Sequence, residues 1–157
     1  MTTSKSVASI LMWLLLSGAV YAIPVSRIEG MRVMEHYQSA LQSAEISRIS
    51  SLIAPDARIR VQLQQKDATS QVFTLSTQRF VQQIGALARF SSEQYWKFSA
   101  PEYINDGNGR LKVLLTQTQH RKLFGSESAQ RDSITLLLDR RNDQILIIDI
   151  HAVSEIW

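Results

Sequence analysis

From residue 26 onward, apolar side chains return every three or four positions: Ile28, Met31, Met34, Tyr37, Leu41 and Ala44. That spacing predicts an amphipathic helix. Ser26-Arg27-Ile28-Glu29 opens it as a capping box, in which the Ser hydroxyl and the Glu carboxylate each take a backbone N–H. Residues 45–53 predict a second, short helix with Ile46, Ile49, Leu52 and Ile53 inward, broken by Ala54-Pro55-Asp56. The period then changes to two. In residues 57–64, Ile59, Val61 and Leu63 alternate with Arg58, Arg60, Gln62 and Gln64, the mark of a strand with one wet face. Residues 65–70 read as a turn and 71–75 as a short return strand. Ser76 or Thr77 caps a third helix whose apolar side is Phe80, Val81, Ile84, Leu87 and Ala88.

The remainder reads as all β. A strand is expected over residues 95–100, continuing to 104, and "NDGNG" (105–109) as a hairpin turn. That turn resembles a calcium loop only in part, because the later carboxylates are missing. Residues 110–124 form one long expected strand, 125–129 a loop, 130–140 a strand, and 141–144 a turn into the last strand, 145–157. In that strand Asp149 and His151 interrupt a run of Ile and Leu. A strict period of two puts Ile145, Ile147, Asp149, His151 and Val153 on one face. A tight turn before it would set Leu138 opposite Ile147, Leu136 opposite Asp149 and Ile134 opposite His151. Both faces of this hairpin are apolar. Helices cover one side of a sheet, so the other needs a second cover. Two answers are open: a second subunit packed sheet to sheet, or a closed cavity under the helices lined by one of these faces.

The first residues have a different character. Lys5 is followed by an apolar run from Val7 to Leu16 and by small residues up to Ala22, with Val20 and Ala22 at the −3 and −1 positions of a cleavage site. This predicts a signal peptide over 1–22, a single domain over 23–157, and export to the periplasm or beyond. The alternative is an uncleaved anchor, since the uncharged run is near the lower length limit for a membrane span. Loss of Lys5 takes the formal net charge from +3 to +2. So mild a charge, with export, argues against a nucleic-acid partner. With no Cys in the chain there is no lipid-anchored Cys and no disulfide, so stability must come from apolar burial.

Helices first, then a curved antiparallel sheet with its longest strands last, resembles the nuclear transport factor 2-like superfamily, also known as SnoaL-like or cystatin-like cone folds. "EISRISSLIAPDARIRV" (45–61) is similar to that group's short helix, Ala-Pro-Asp-Ala turn and first strand. "LSTQRFVQQI" (75–84) is similar to its third helix. The resemblance implies an α+β cone: N-terminal helices packed on a strongly curved sheet, with a cavity between them, and a homodimer through the sheet face as the second cover. It implies little about activity, since such folds serve isomerases, cyclases, dehydratases and binding modules alike.

In that cavity, Asp149 is the candidate general base and His151 its proton partner. Tyr37, Tyr95, Trp96, Tyr103, Leu136 and Ile147 are the candidate lining. The competing reading is structural: Asp149 salt-bridges a nearby Arg, and His151 sits half wet near a strand end. His36 and His120 have no metal-ligand spacing, and no phosphate loop or dinucleotide fingerprint occurs, so no metal or cofactor is expected. The function expected is a small-molecule-binding or protein-interaction module of the cell envelope, taking a small apolar ligand. The alternative is a proton-transfer enzyme acting on such a ligand.

Overall fold

The computed structural model describes residues 22–65 and 69–157. Residues 1–21, nearly all of the expected leader, lie outside the described residues, as do residues 66–68 of the expected turn. In chain order the elements are α1 (Arg27–Gln42), α2 (Ile46–Leu52), β1 (Ile53–Gln64), β2 (Ser70–Leu75), α3 (Thr77–Phe90), β3 (Ser91–Phe98), β4 (Glu102–Asn105), β5 (Leu111–Leu123), β6 (Ser126–Arg141) and β7 (Gln144–Ile156). Among the described residues this is the expected α+β architecture, three helices against one mostly antiparallel sheet.

Local chemistry sets the helix starts. The Ser26 hydroxyl accepts from the Glu29 N–H at 3.2 Å, and Glu29 Oε2 accepts from the Ser26 N–H at 2.9 Å. Ser76 caps α3 in the same way, its hydroxyl accepting from the Arg79 N–H at 3.2 Å. The sheet runs β2-β1-β7-β6-β5-β3, with β4 beside the first part of β5. All pairs are antiparallel except β1 with β7.

Several boundaries differ from expectation; the strand expected over 95–104 is two, β3 from Ser91 and the separate β4. Ala54-Pro55-Asp56 lies within β1, where pairing to β7 is irregular between Ile53 and Arg58. Pro55 is exposed there, in the break where the ladder does not need its missing N–H. Residues 126–129 are strand, because β5 and β6 join through a two-residue turn at Phe124 and Gly125, both with positive φ. Asn142 and Asp143 make the matching turn between β6 and β7.

The largest difference lies in β7. Leu138 pairs with Ile147, as expected, but Leu137 pairs with Asp149. Ile148 is an extra residue, a β-bulge. It shifts the alternation by one, so Ile147, Ile150, Ala152 and Ser154 all point toward the helices and are buried. Asp149, His151 and Val153 move to the opposite, convex face, and Thr135 rather than Ile134 stands across from His151. The expectation of one face shared by Ile147, Asp149 and His151 is thereby corrected.

The helix-side face of β5, β6 and β7 can be read in rows. Leu111, Leu138 and Ile147 form one; Val113, Leu136 and Ile150 the next; Leu115, Ile134 and Ala152 the third. All nine are buried. Burial of each large aliphatic side chain contributes on the order of 1.5–3 kcal/mol. Tyr37, Met34 and Leu41 of α1 complete this core.

α1 approaches the sheet at Gly30. A methyl group there would collide with the side chain of Leu111, which is itself only 2% exposed. Gly30→Ala is expected to destabilise the fold by about 1–3 kcal/mol by overpacking, even though Ala favours the helix by about 1 kcal/mol. Urea unfolding reads the sign. Glu29 also accepts from Arg140 Nη2 at 2.7 Å. Arg140, then the Ser26 backbone and hydroxyl, hold the Glu29 carboxyl down to about 2 from 4.5. A depressed folded pKa adds stability above pH 4.5 that disappears as the pH falls toward 2. Thermal melts across that window should lose part of their acid slope in Glu29→Gln.

Candidate functional site

Below the three apolar rows, the sheet changes character on all three strands at once. Gln117, Asp132 and Ser154 form the fourth row, and Gln119 and Gln130 lead the fifth. Four of these five are buried, and Gln130 is half-buried. Here α1 and α3 stand off the sheet and leave a cavity of about 120 Å³. Tyr37 and Leu41 come from α1, Phe80, Ile84 and Leu87 from α3, and Trp96 from β3. That is room for several waters or one compact small molecule.

A directed chain of hydrogen bonds organises the polar wall. The Tyr37 hydroxyl donates to Gln117 Oε1 at 3.5 Å, and Gln117 Nε2 donates to Asp132 Oδ2 at 3.0 Å. From the other side, Arg121 Nη1 donates to Gln130 Oε1 at 3.3 Å and to Gln119 Oε1 at 2.9 Å. Gln130 Nε2 then donates to Asp132 Oδ1 at 2.8 Å. The two branches through Gln117 and Gln130 both end on Asp132. A buried carboxylate needs such partners, since leaving it bare would carry a large desolvation cost. Burial, then the Asp132 charge, pushes the Tyr37 phenol well above its ordinary pKa, so it stays a protonated donor. Burial lowers the Arg121 pKa, opposed by the Asp132 charge.

Two polar groups at the cavity remain unused. Trp96 Nε1 and Ser154 Oγ are both buried, and neither finds a hydrogen-bond partner among the described residues. Ser154 is 1% exposed. Buried polar groups in native proteins are nearly always paired, so two orphans on one cavity wall identify a place where a ligand or water belongs.

The expected site residues are dispersed. Tyr37 and Trp96 line the cavity. Leu136 and Ile147 sit in the packed core behind it. Tyr103 lies beside the first turns of α1, under the guanidinium of Arg27 at 5.6 Å. Tyr95 is on the convex face, stacked on His120. Asp149 accepts from Arg58 Nε at 2.6 Å and lies 3.5 Å from Arg60 Nη2, the ion-pair arrangement of the structural reading. His151 is half-buried beside Thr135 and Val153 in a shallow convex groove. Gln117, Gln119, Gln130, Asp132 and Ser154 were not anticipated. Their signal is the change from aliphatic to polar on inward positions of three strands, which becomes visible only once the register is known.

Solved structures share this fold. The chain is similar to a candidate scytalone dehydratase from Novosphingobium aromaticivorans, with a TM-score of 0.63 and 9% identity over 79% of this chain and 80% of that one. It is similar to an uncharacterised protein with a cystatin-like fold from Caulobacter vibrioides, with a TM-score of 0.59 and 15% identity over 79% and 85%. It is also similar to hexachlorocyclohexane dehydrochlorinase LinA-type3 from Novosphingobium barchaimii, with a TM-score of 0.61 and 8% identity over 80% and 84%. No family model matches the chain, and no curated protein matches it. The fold is therefore the cone fold of nuclear transport factor 2-like, SnoaL-like proteins. At these identities the likeness defines the fold and leaves the chemistry to the residues.

The role assigned to Asp132 has a direct check. Asp132→Asn keeps the shape but replaces one acceptor oxygen with an NH₂ group facing an amide donor. The expected cost is about 1–3 kcal/mol of stability, read by chemical denaturation.

Proposed function

We propose that this protein is a small-molecule-binding module whose helix-covered cavity takes one compact, mainly apolar molecule carrying a hydrogen-bond acceptor. The observation that carries the reading is two unpartnered donors, the Trp96 indole N–H and the Ser154 hydroxyl, in a cavity where Gln117, Gln130 and Asp132 already engage one another and where aliphatic and aromatic side chains supply much of the remaining lining. An acceptor oxygen placed against either donor would satisfy it, while the rest of the molecule meets Leu41, Val61, Ile84 and Ile150. The leader pattern supports export to the periplasm, with a cut near Ala22. Leu114, Leu137 and Val153, only half-buried on the convex face, support association of two copies through the sheet.

Binding is favoured over proton transfer by the state of the carboxylates. Asp149 faces away from the cavity and is engaged by Arg58 and Arg60. Asp132 faces it, but both of its oxygens already accept amide hydrogens. A general base needs an oxygen free to reach the substrate proton.

Ser154→Ala and Trp96→Phe test the reading, because stability and binding should move in opposite directions. Removing the orphan hydroxyl should leave the empty protein as stable or up to about 1 kcal/mol more so. Native mass spectrometry of protein purified without denaturant should show a retained small molecule in the parent and its loss in both variants. Equal retention in all three would remove the basis of the proposal.

A further inference from the structure

A second cleft opens on the other side of the sheet, well apart from the apolar convex patch at Leu114. Tyr95, His120, Ala129 and Trp157 form a single row across four neighbouring chain segments. Tyr95 pairs with His120, His120 pairs with Ala129, and Ala129 and Trp157 exchange backbone hydrogen bonds at 3.0 and 3.1 Å. Side chains in such a row share a face. The row therefore reads ring, ring, methyl, ring. Tyr95 and His120 stack with centroids 4.5 Å apart and planes 7° from parallel. Trp157, half exposed, lies on the far side of Ala129. Lys97 lies over the Tyr95 ring at 5.7 Å, and the Arg131 guanidinium over the Trp157 ring at 5.1 Å, so a cation packs on each outer ring of the row.

The alanine makes the opening. His120 and Trp157 stand two strand spacings apart, about 9.6 Å, with only a methyl group on the floor between them. After allowance for the half-thickness of each wall, about 6 Å of width remains, enough for one flat ring and too little for two. The cleft has a volume of about 370 Å³, within the range of small-molecule sites and larger than the helix-covered cavity. Its rim mixes signs. Lys122 lies 4.0 Å from Glu93 Oε1 and pairs in register with Glu127, so the edge presents donors and acceptors together.

We propose that this cleft is a second binding site, for a free small molecule built on a flat unsaturated ring whose edge both donates and accepts hydrogen bonds, the chemistry of a nucleobase. The ring inserts between the His120 imidazole and the Trp157 indole over Ala129. Its polar edge meets Lys122 and Glu127. The site shares none of the cavity's unpartnered donors, and it stands or falls independently of the function proposed above.

The test is a titration of the full chain with adenosine and with indole, followed by amide NMR, with cyclohexanol as the saturated counterpart. Both flat rings should shift the signals of His120, Ala129 and Trp157, and cyclohexanol should bind about tenfold more weakly or worse. Ala129→Leu fills the slot from its floor, at a position only 8% exposed, and should weaken adenosine by about tenfold. Should that variant misfold, Trp157→Leu, at an exposed position, removes one wall and is expected to give the same loss. Shifts confined to the surroundings of Tyr37 and Trp96, equal binding of cyclohexanol, or no response to either flat ring would each overturn the proposal.

Discussion

The pairing of β6 with β7 sets what every side chain beyond it can do. One surplus residue, Ile148, sits between Ile147 and Asp149, and the alternation of the strand restarts after it. Without that surplus, Ala152 and Ser154 would leave the helix side, and Asp149 and His151 would enter the core. With it, the bulged strand supplies apolar side chains to the core continuously from Ile147 to Ala152, and the acid reaches Arg58 and Arg60 on β1. A bulge also sharpens local twist and bends the strand, which suits a sheet that must wrap around helices. Register and the position of the polar wall follow from the same residue.

The cavity is the place where helices and sheet separate just as the inward residues turn polar. Aliphatic rows permit dense packing and leave no room. At the Gln117, Asp132 and Ser154 row the sheet instead offers amides, a carboxylate and a hydroxyl. Asp132 orders this region. It accepts from both sides, so the two glutamines that hold it are fixed in orientation, and Tyr37 and Arg121 are fixed in turn. A connected network of this kind stiffens the wall. Against it, the unsatisfied Trp96 and Ser154 groups stand out as places reserved for something else.

Much of the fold was legible because its signals are local. The Ser26 and Ser76 caps, the helical spacing after each, and the Asn142–Asp143 turn all carry their meaning within four residues. The bulge does not. Ile147 and Ile148 are the same residue type, and both faces of the hairpin are apolar, so nothing in hydrophobic pattern says which of them is surplus. The start of β6 was hidden for a related reason: residues 126–129 are small or polar, without alternation, and are strand only because β5 pairs with them. The candidate site inherits this. Inward and outward positions on β7 exchange with a one-residue slip, so Asp149 and His151 drew attention that belonged to Asp132 and Ser154.

The one parallel pair, β1 with β7, has a bearing on how the chain assembles. β7 lies between β1 and β6, so the β1–β2 hairpin and the β5–β6 hairpin have no strand in common until residues 144–156 are available. About ninety residues must close into a loop before Arg58 can stand beside Asp149. Contacts of such range slow folding and leave earlier segments open while they wait. The native sheet therefore closes last, and around its final strand, so a chain still being made is held short of its finished state.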